Sequence, residues 1–185
     1  MRTGSLRRFT WAVLAASAAL AATGCSVIGG DSGDKPGPTY NDAMAVIYKD
    51  ALSSMKTTTG RDELEEYGGS RDACGGPDFL DSKDDSKRRA SLYIKYPGDP
   101  ADKRSSADLV KAMVDQLTKL GWIVERTVPA ADGPDPEVKA YMKKPGSGNA
   151  GIYSEAAHLP TGETVHDLVI DIGTDCLRNP DWRKP

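Results

Sequence analysis

SSADLVKAMVDQLTKLGWIVERTV, residues 105–128, contains a helix, its stop signal and the strand that follows. Leu109, Val110, Met113, Val114, Leu117 and Leu120 recur every three or four residues, which is the apolar stripe of an amphipathic helix. Ser105 or Ser106 offers a hydroxyl for the first orphan amides, Asp108 puts an acid in the first turn, and Gly121 stands where a left-handed residue ends a helix. Trp122 opens a strand running through Val128.

Downstream, the acidic, proline-rich turn AADGPDPE leads to a strand over 138–144. A glycine-rich turn then leads to a strand over 151–157, and a last one spans 165–173. Strands joined by short turns predict an antiparallel meander. Upstream, residues 88–96 alternate Ala90, Leu92, Ile94 and Tyr96 against Ser91, Tyr93 and Lys95, a half-buried strand. Residues 61–87, with Gly68-Gly69, Gly75-Gly76-Pro77 and several aspartates, read as irregular with one short strand. Before them Tyr40, Ala43, Met44, Ile47, Tyr48, Ala51, Leu52 and Met55 mark a first helix, capped by Thr39 or Asn41 and followed by Gly60. The expectation is an α+β two-layer sandwich over 40–185, its mostly antiparallel sheet of about 4–5 strands carrying two main helices on one face.

The start of the chain has a different character. MRTGSLRRFTWAVLAASAALAATGC places three arginines before an apolar run from Trp11 to Ala22 and small residues before Cys25. That is the layout of a signal peptide. The run is too short for a hydrocarbon core that needs roughly twenty apolar residues. Ala22-Thr23-Gly24-Cys25 resembles the bacterial lipobox, with Ala22 where an aliphatic residue is usual. The resemblance implies cleavage between Gly24 and Cys25 and a diacylglycerol thioether on Cys25. Two or three acyl chains hold a protein durably at about 0.8 kcal/mol per buried CH₂. Arg7-Arg8 before Phe9 resembles a twin-arginine export signal without its spacer, and the ordinary secretory route is expected. Residues 25–39, rich in Gly, Asp, Ser and Pro, read as a flexible tether.

Three cysteines then divide their roles. With Cys25 lipidated, Cys74 and Cys176 remain in a compartment where disulfides persist, and a structural Cys74–Cys176 bridge is expected. A reactive thiol or a metal ligand would need a nearby base or a CxxC spacing, and neither is present.

The formal charge is −3, falling to about −6 once Arg2, Arg7 and Arg8 leave with the leader, and no dense basic cluster exists. Nucleic acid is therefore not an expected partner. The two histidines, His158 in a turn and His166 on the core parity of its strand, read as structural or solvated. Asp132, Asp135 and Glu137 lack the spacing of a calcium loop, and Asp167 and Asp171 read as a solvent-facing pair with a remote resemblance to glycosidase carboxylates. No catalytic residue, metal or cofactor is expected.

Leader, tether, helix, strand, a helix ending in Gly-Trp, a meander and a closing Gly-Thr-Asp-Cys together resemble the small lipoproteins of the actinobacterial cell envelope. The LppA-like lipoproteins of mycobacteria are a more distant likeness. The resemblance implies a lipid-anchored address on the outer face of the cell membrane and no activity. The first functional expectation is a non-enzymatic binding or interaction module, engaging an envelope protein or polymer through the open sheet face, where Tyr93, Tyr141 and Tyr153 share outward parity. The alternatives are an envelope hydrolase whose site escapes motif reading, or an inhibitor or immunity-type lipoprotein.

Overall fold

The computed structural model describes residues 37–76, 84–129 and 138–183. Contacts divide the chain into two units, Met1–Asp34 and Lys35–Pro185, and the described residues all belong to the second. The leader, Cys25, most of the tether and the acids Asp132, Asp135 and Glu137 lie outside them.

The element order is α1 (Tyr40–Thr59), β1 (Glu65–Gly75), β2 (Asp84–Tyr96), α2 (Ser106–Lys119), β3 (Ile123–Val128), β4 (Lys139–Lys144), β5 (Gly148–His158), β6 (Thr164–Thr174) and β7 (Leu177–Arg178). Both helices begin with a reciprocal capping box. Thr39 and Asp42 exchange hydrogen bonds at the start of α1, and Ser105 and Asp108 do so at α2. Of the two candidate caps for each helix, the first residue is the one used because its side chain reaches the third amide of the helix. Gly60 closes α1 at φ 69, a left-handed conformation that glycine adopts without steric cost. Ser105→Ala is expected to cost about 1 kcal/mol of stability, read as a shift in the midpoint of urea unfolding. An unchanged midpoint would show that the cap is not needed in the folded domain.

The architecture is α+β with an antiparallel sheet of seven strands, more than the 4–5 expected. Its order is β1-β2-β6-β5-β4-β3, with β7 pairing β2 off this path. Of the extra strands, β7 is the two-residue Leu177–Arg178 after β6, and β1 lies in 61–87, where an irregular segment with one short strand was expected. Instead β1 pairs antiparallel with β2 over most of its length, and β2 starts earlier than the alternation at Ala90 indicates. The first eight residues of β1 are exposed, so no alternation of apolar and polar residues marks the strand. Backbone pairing to β2 supplies its order, across an irregularity at Gly68 and Gly69, both at positive φ.

The registers put Leu92, Ile94 and Tyr96 of β2 opposite Ile172, Ile170 and Leu168 of β6, with Ala150 and Ile152 of β5 and then Met142 and Ala140 of β4 beyond. Side chains alternate across a strand, so these residues share one face. All except half-buried Leu92 lie inside one buried cluster with Ile47, Ala51 and Met55 of α1 and Leu109, Met113 and Leu117 of α2. Trp122, directly after α2, is buried in the same cluster. Among the described residues no helix is long and apolar enough to cross a membrane.

The expected cross-link is present. Cys74, near the end of β1, is bonded to Cys176, just beyond β6, so the outermost strand is tied to the centre of the sheet.

Candidate functional site

The opposite sheet face places Tyr67, Tyr93, Asp171, Gly151, Tyr141 and Arg126 in a single cross-strand row, one residue from each of β1, β2, β6, β5, β4 and β3. The neighbouring row reads Glu65, Lys95, Val169, Tyr153, Lys139 and Val128. The three sequence-selected tyrosines do share this face. They are not a contiguous aromatic strip, however, because Asp171 and Gly151 separate Tyr93 from Tyr141. Tyr153 is the diagonal neighbour of Asp171, a relationship within reach of a ring. The tyrosines therefore surround a carboxylate and a bare stretch of backbone.

Gly151 is what opens this centre. It lies between Asp171 and Tyr141 in the row, and a Cβ built on it would meet nothing nearer than the Tyr141 ring at 3.9 Å. A strand glycine often marks a place where something approaches the backbone closely. Here a hollow of about 120 Å³ is bounded by Tyr141, Gly151, Tyr153, Asp171 and Lys139. A second, of about 240 Å³, adjoins it on Tyr141, Gly151 and Asp171 and reaches Glu125 and Asn149.

The cations on the face have other occupations. The Lys95 ammonium lies 2.5 Å from an Asp167 oxygen, and Lys143 donates to Asp175 at 2.8 Å. The Arg126 guanidinium stacks 4.4 Å from the centre of the Tyr141 ring, and the Lys139 ammonium sits 5.2 Å from that of Tyr153. Asp171 has no hydrogen bond or ion pair among the described residues, and burial alone pushes its carboxyl above the ordinary aspartate value. Burial, with the charge of Glu155 next, likewise raises the Tyr153 phenol.

The raised Asp171 value carries a sign. Between the unfolded aspartate range and the higher folded value the native state binds more protons, so stability falls as pH rises through that window. Asp171→Asn is expected to leave the fold intact and raise stability at neutral pH by roughly 0.5 kcal/mol or less, with the gain vanishing in acid. Urea unfolding at pH 7 and pH 3 checks this, and a clear loss at neutral pH would show that the carboxylate has a stabilising partner.

Asp167 differs from the expectation of a solvent-facing acid. It is buried at 6% exposure, accepts from the Gly98 amide at 2.7 Å and holds the Lys95 ammonium above the ordinary lysine value. Outward parity and exposure part company here because β6 is central in the sheet and its neighbours cover it. Four residues along one strand also put Asp167 about 13 Å from Asp171, beyond the spacing of paired glycosidase carboxylates.

The histidines lie elsewhere. His158 ends β5 rather than sitting in the turn, and its Nδ1 is 3.0 Å from the Thr164 hydroxyl. His166 Nδ1 is 2.9 Å from the Ser106 hydroxyl. A serine on an imidazole is the beginning of a nucleophilic site. Ser106 is only 5% exposed in the first turn of α2, however, so this contact joins α2 to β6 and presents no nucleophile to a substrate. The cleft of about 260 Å³ lined by Arg61, Tyr96 and Asp99 is also self-satisfied, since Arg61 is ion-paired with Asp99. No group of three or more potential metal ligands occurs among the described residues.

Sequence reasoning picked out the tyrosines and Asp171 but missed Gly151, Lys139 and Arg126. The glycine inside an otherwise alternating strand was the available signal. Comparisons with family models, with curated proteins and with solved structures give no match to this chain.

Proposed function

We propose that this protein is an extracytoplasmic lipoprotein whose folded domain is a non-enzymatic binding module. In this reading the leader over 1–24 is removed, lipid on Cys25 anchors the chain at the outer face of the membrane, and the tether lifts the domain from the headgroups. The domain is a two-layer sandwich in which α1 and α2 cover one face of the sheet and the other face meets an envelope protein or polymer. The observation that carries the binding reading is the row of Tyr93, Asp171, Gly151 and Tyr141, flanked by Tyr153, with a carboxylate at its centre that has no hydrogen bond or ion pair among the described residues. Aromatic side chains at the margins of a hollow supply contact area at small conformational cost, and such residues dominate binding energies.

Cross-linking on intact cells followed by mass spectrometry tests both halves. The wild type is expected to capture a partner that the triple variant Tyr93→Ala, Tyr141→Ala, Tyr153→Ala does not. A Cys25→Ala chain is expected to leave the membrane fraction. Capture unaffected by the tyrosine changes would overturn the face assignment, and membrane retention of Cys25→Ala would overturn the anchor.

A further inference from the structure

We infer that the hollow between Tyr141 and Tyr153, floored by Gly151 and closed on one side by Asp171, takes an organic ammonium group. The inference rests on the binding-module reading and names the chemistry its face would recognise. The charge arrangement points to a cation: Asp171 is half-buried and lacks a hydrogen bond or ion pair among the described residues. The nearby positive groups are directed elsewhere, Lys95 to Asp167, Lys143 to Asp175, Arg126 to the Tyr141 ring and Lys139 to the Tyr153 ring. Glu125 on β3 and Glu155 on β5, also acids, add to the negative field near the hollow.

The walls select the kind of cation. Tyrosine rings attract ammonium and guanidinium groups through their negative faces, and both rings here already hold one such side chain. A hard metal ion takes six or more oxygens, whereas this hollow offers one carboxylate beside aromatic carbon, a glycine backbone and the Lys139 side chain that lies over the Tyr153 ring. At about 120 Å³ it admits a small head group and not an extended chain. The charge of a bound cation would also favour the ionised Asp171 carboxyl against the burial that raises it, so its titration would move down on occupancy.

The test uses the oxidised, folded protein with carboxyl-labelled aspartate and ring-labelled tyrosine, observed by NMR. The probes are tetramethylammonium chloride and Nα-acetyl-lysine amide, with sodium chloride at matched ionic strength as control. Saturable shifts of the Tyr141 and Tyr153 rings are expected with at least one probe, together with a lowered Asp171 titration midpoint. Tighter binding of tetramethylammonium would assign a quaternary head group, and tighter binding of the lysine derivative a primary amine on a partner. Asp171→Asn is expected to weaken binding about tenfold, and Gly151→Leu to abolish it by filling the floor while the amide spectrum stays folded. Shifts that match sodium chloride, or Asp171→Asn binding like wild type, would overturn the inference. If both probes fail while cellular capture still depends on the tyrosines, the binding module stands and the ammonium site falls. If a probe binds while capture is indifferent to the tyrosines, the reverse holds.

Discussion

Replacing Cys74 and Cys176 together by alanine is expected to lower the unfolding free energy by about 3 kcal/mol, the largest loss available without touching the core. The two residues are 102 positions apart, and closing a loop near that length removes up to about 4.7 kcal/mol of unfolded-chain entropy in the loop model, of which real proteins realise less. The location adds to the effect. Among the described residues β1 is an edge strand whose pairing is to β2 alone, and most of its side chains are exposed, so it has little burial of its own to hold it. The bridge anchors its end beside β6 and β7. Urea unfolding of the oxidised protein and the double variant measures the global term. Hydrogen exchange in Glu65–Gly75 measures the local one, and protection there is expected to collapse first. Equal midpoints and equal protection would mean that the sheet edge holds without its cross-link.

Trp122→Ala is expected to cost about 4 kcal/mol, the effect of deleting a large side chain from a core that cannot fully collapse. Trp122 is 2% exposed, and its indole N–H donates to Asp50 of α1 at 2.9 Å. The same Asp50 oxygen accepts from Lys144 of β4 at 3.0 Å, while Lys144 also donates to the Leu120 carbonyl at the end of α2. One residue thus joins both helices and β4 through a half-buried network. Trp122→Phe keeps most of the apolar volume and leaves Lys144 to neutralise Asp50, so its cost is expected to be about 1–2 kcal/mol. The comparison separates packing from hydrogen bonding. If the phenylalanine variant were as unstable as the alanine one, the N–H bond and not the ring would carry the site.

Both helices, their caps and strands β4, β5 and β6 were legible because each carries a period that burial imposes, whereas β3, exposed throughout, was legible from the helix stop at Gly121 just before it. In 105–128 the apolar stripe, the capping serine and Gly121 agree with one another, and the structure follows them. β1 was not legible, since a strand exposed along most of its length has no buried face to write an alternation into its sequence. Asp167 misled for the complementary reason: parity gives a side chain's direction, and burial depends on which strands stand on either side. In the candidate site the tyrosines were visible as residue types, but the hollow arises from the absence of a side chain at Gly151 and from cation partners that only the sheet register brings together.

The isolated bridge between Thr39 and Arg178 has a practical meaning for how the domain can be re-joined. Paired strands lie about 5 Å apart, so the residue that precedes α1 and the last strand, β7, meet at one corner. Joining these ends with a short linker and opening the β5–β6 turn near Gly162 would give a circular permutant with the same sheet. A fluorescent reporter inserted after Arg178 would sit beside Thr39, and a label intended to stand clear of that corner belongs instead on the β5–β6 turn.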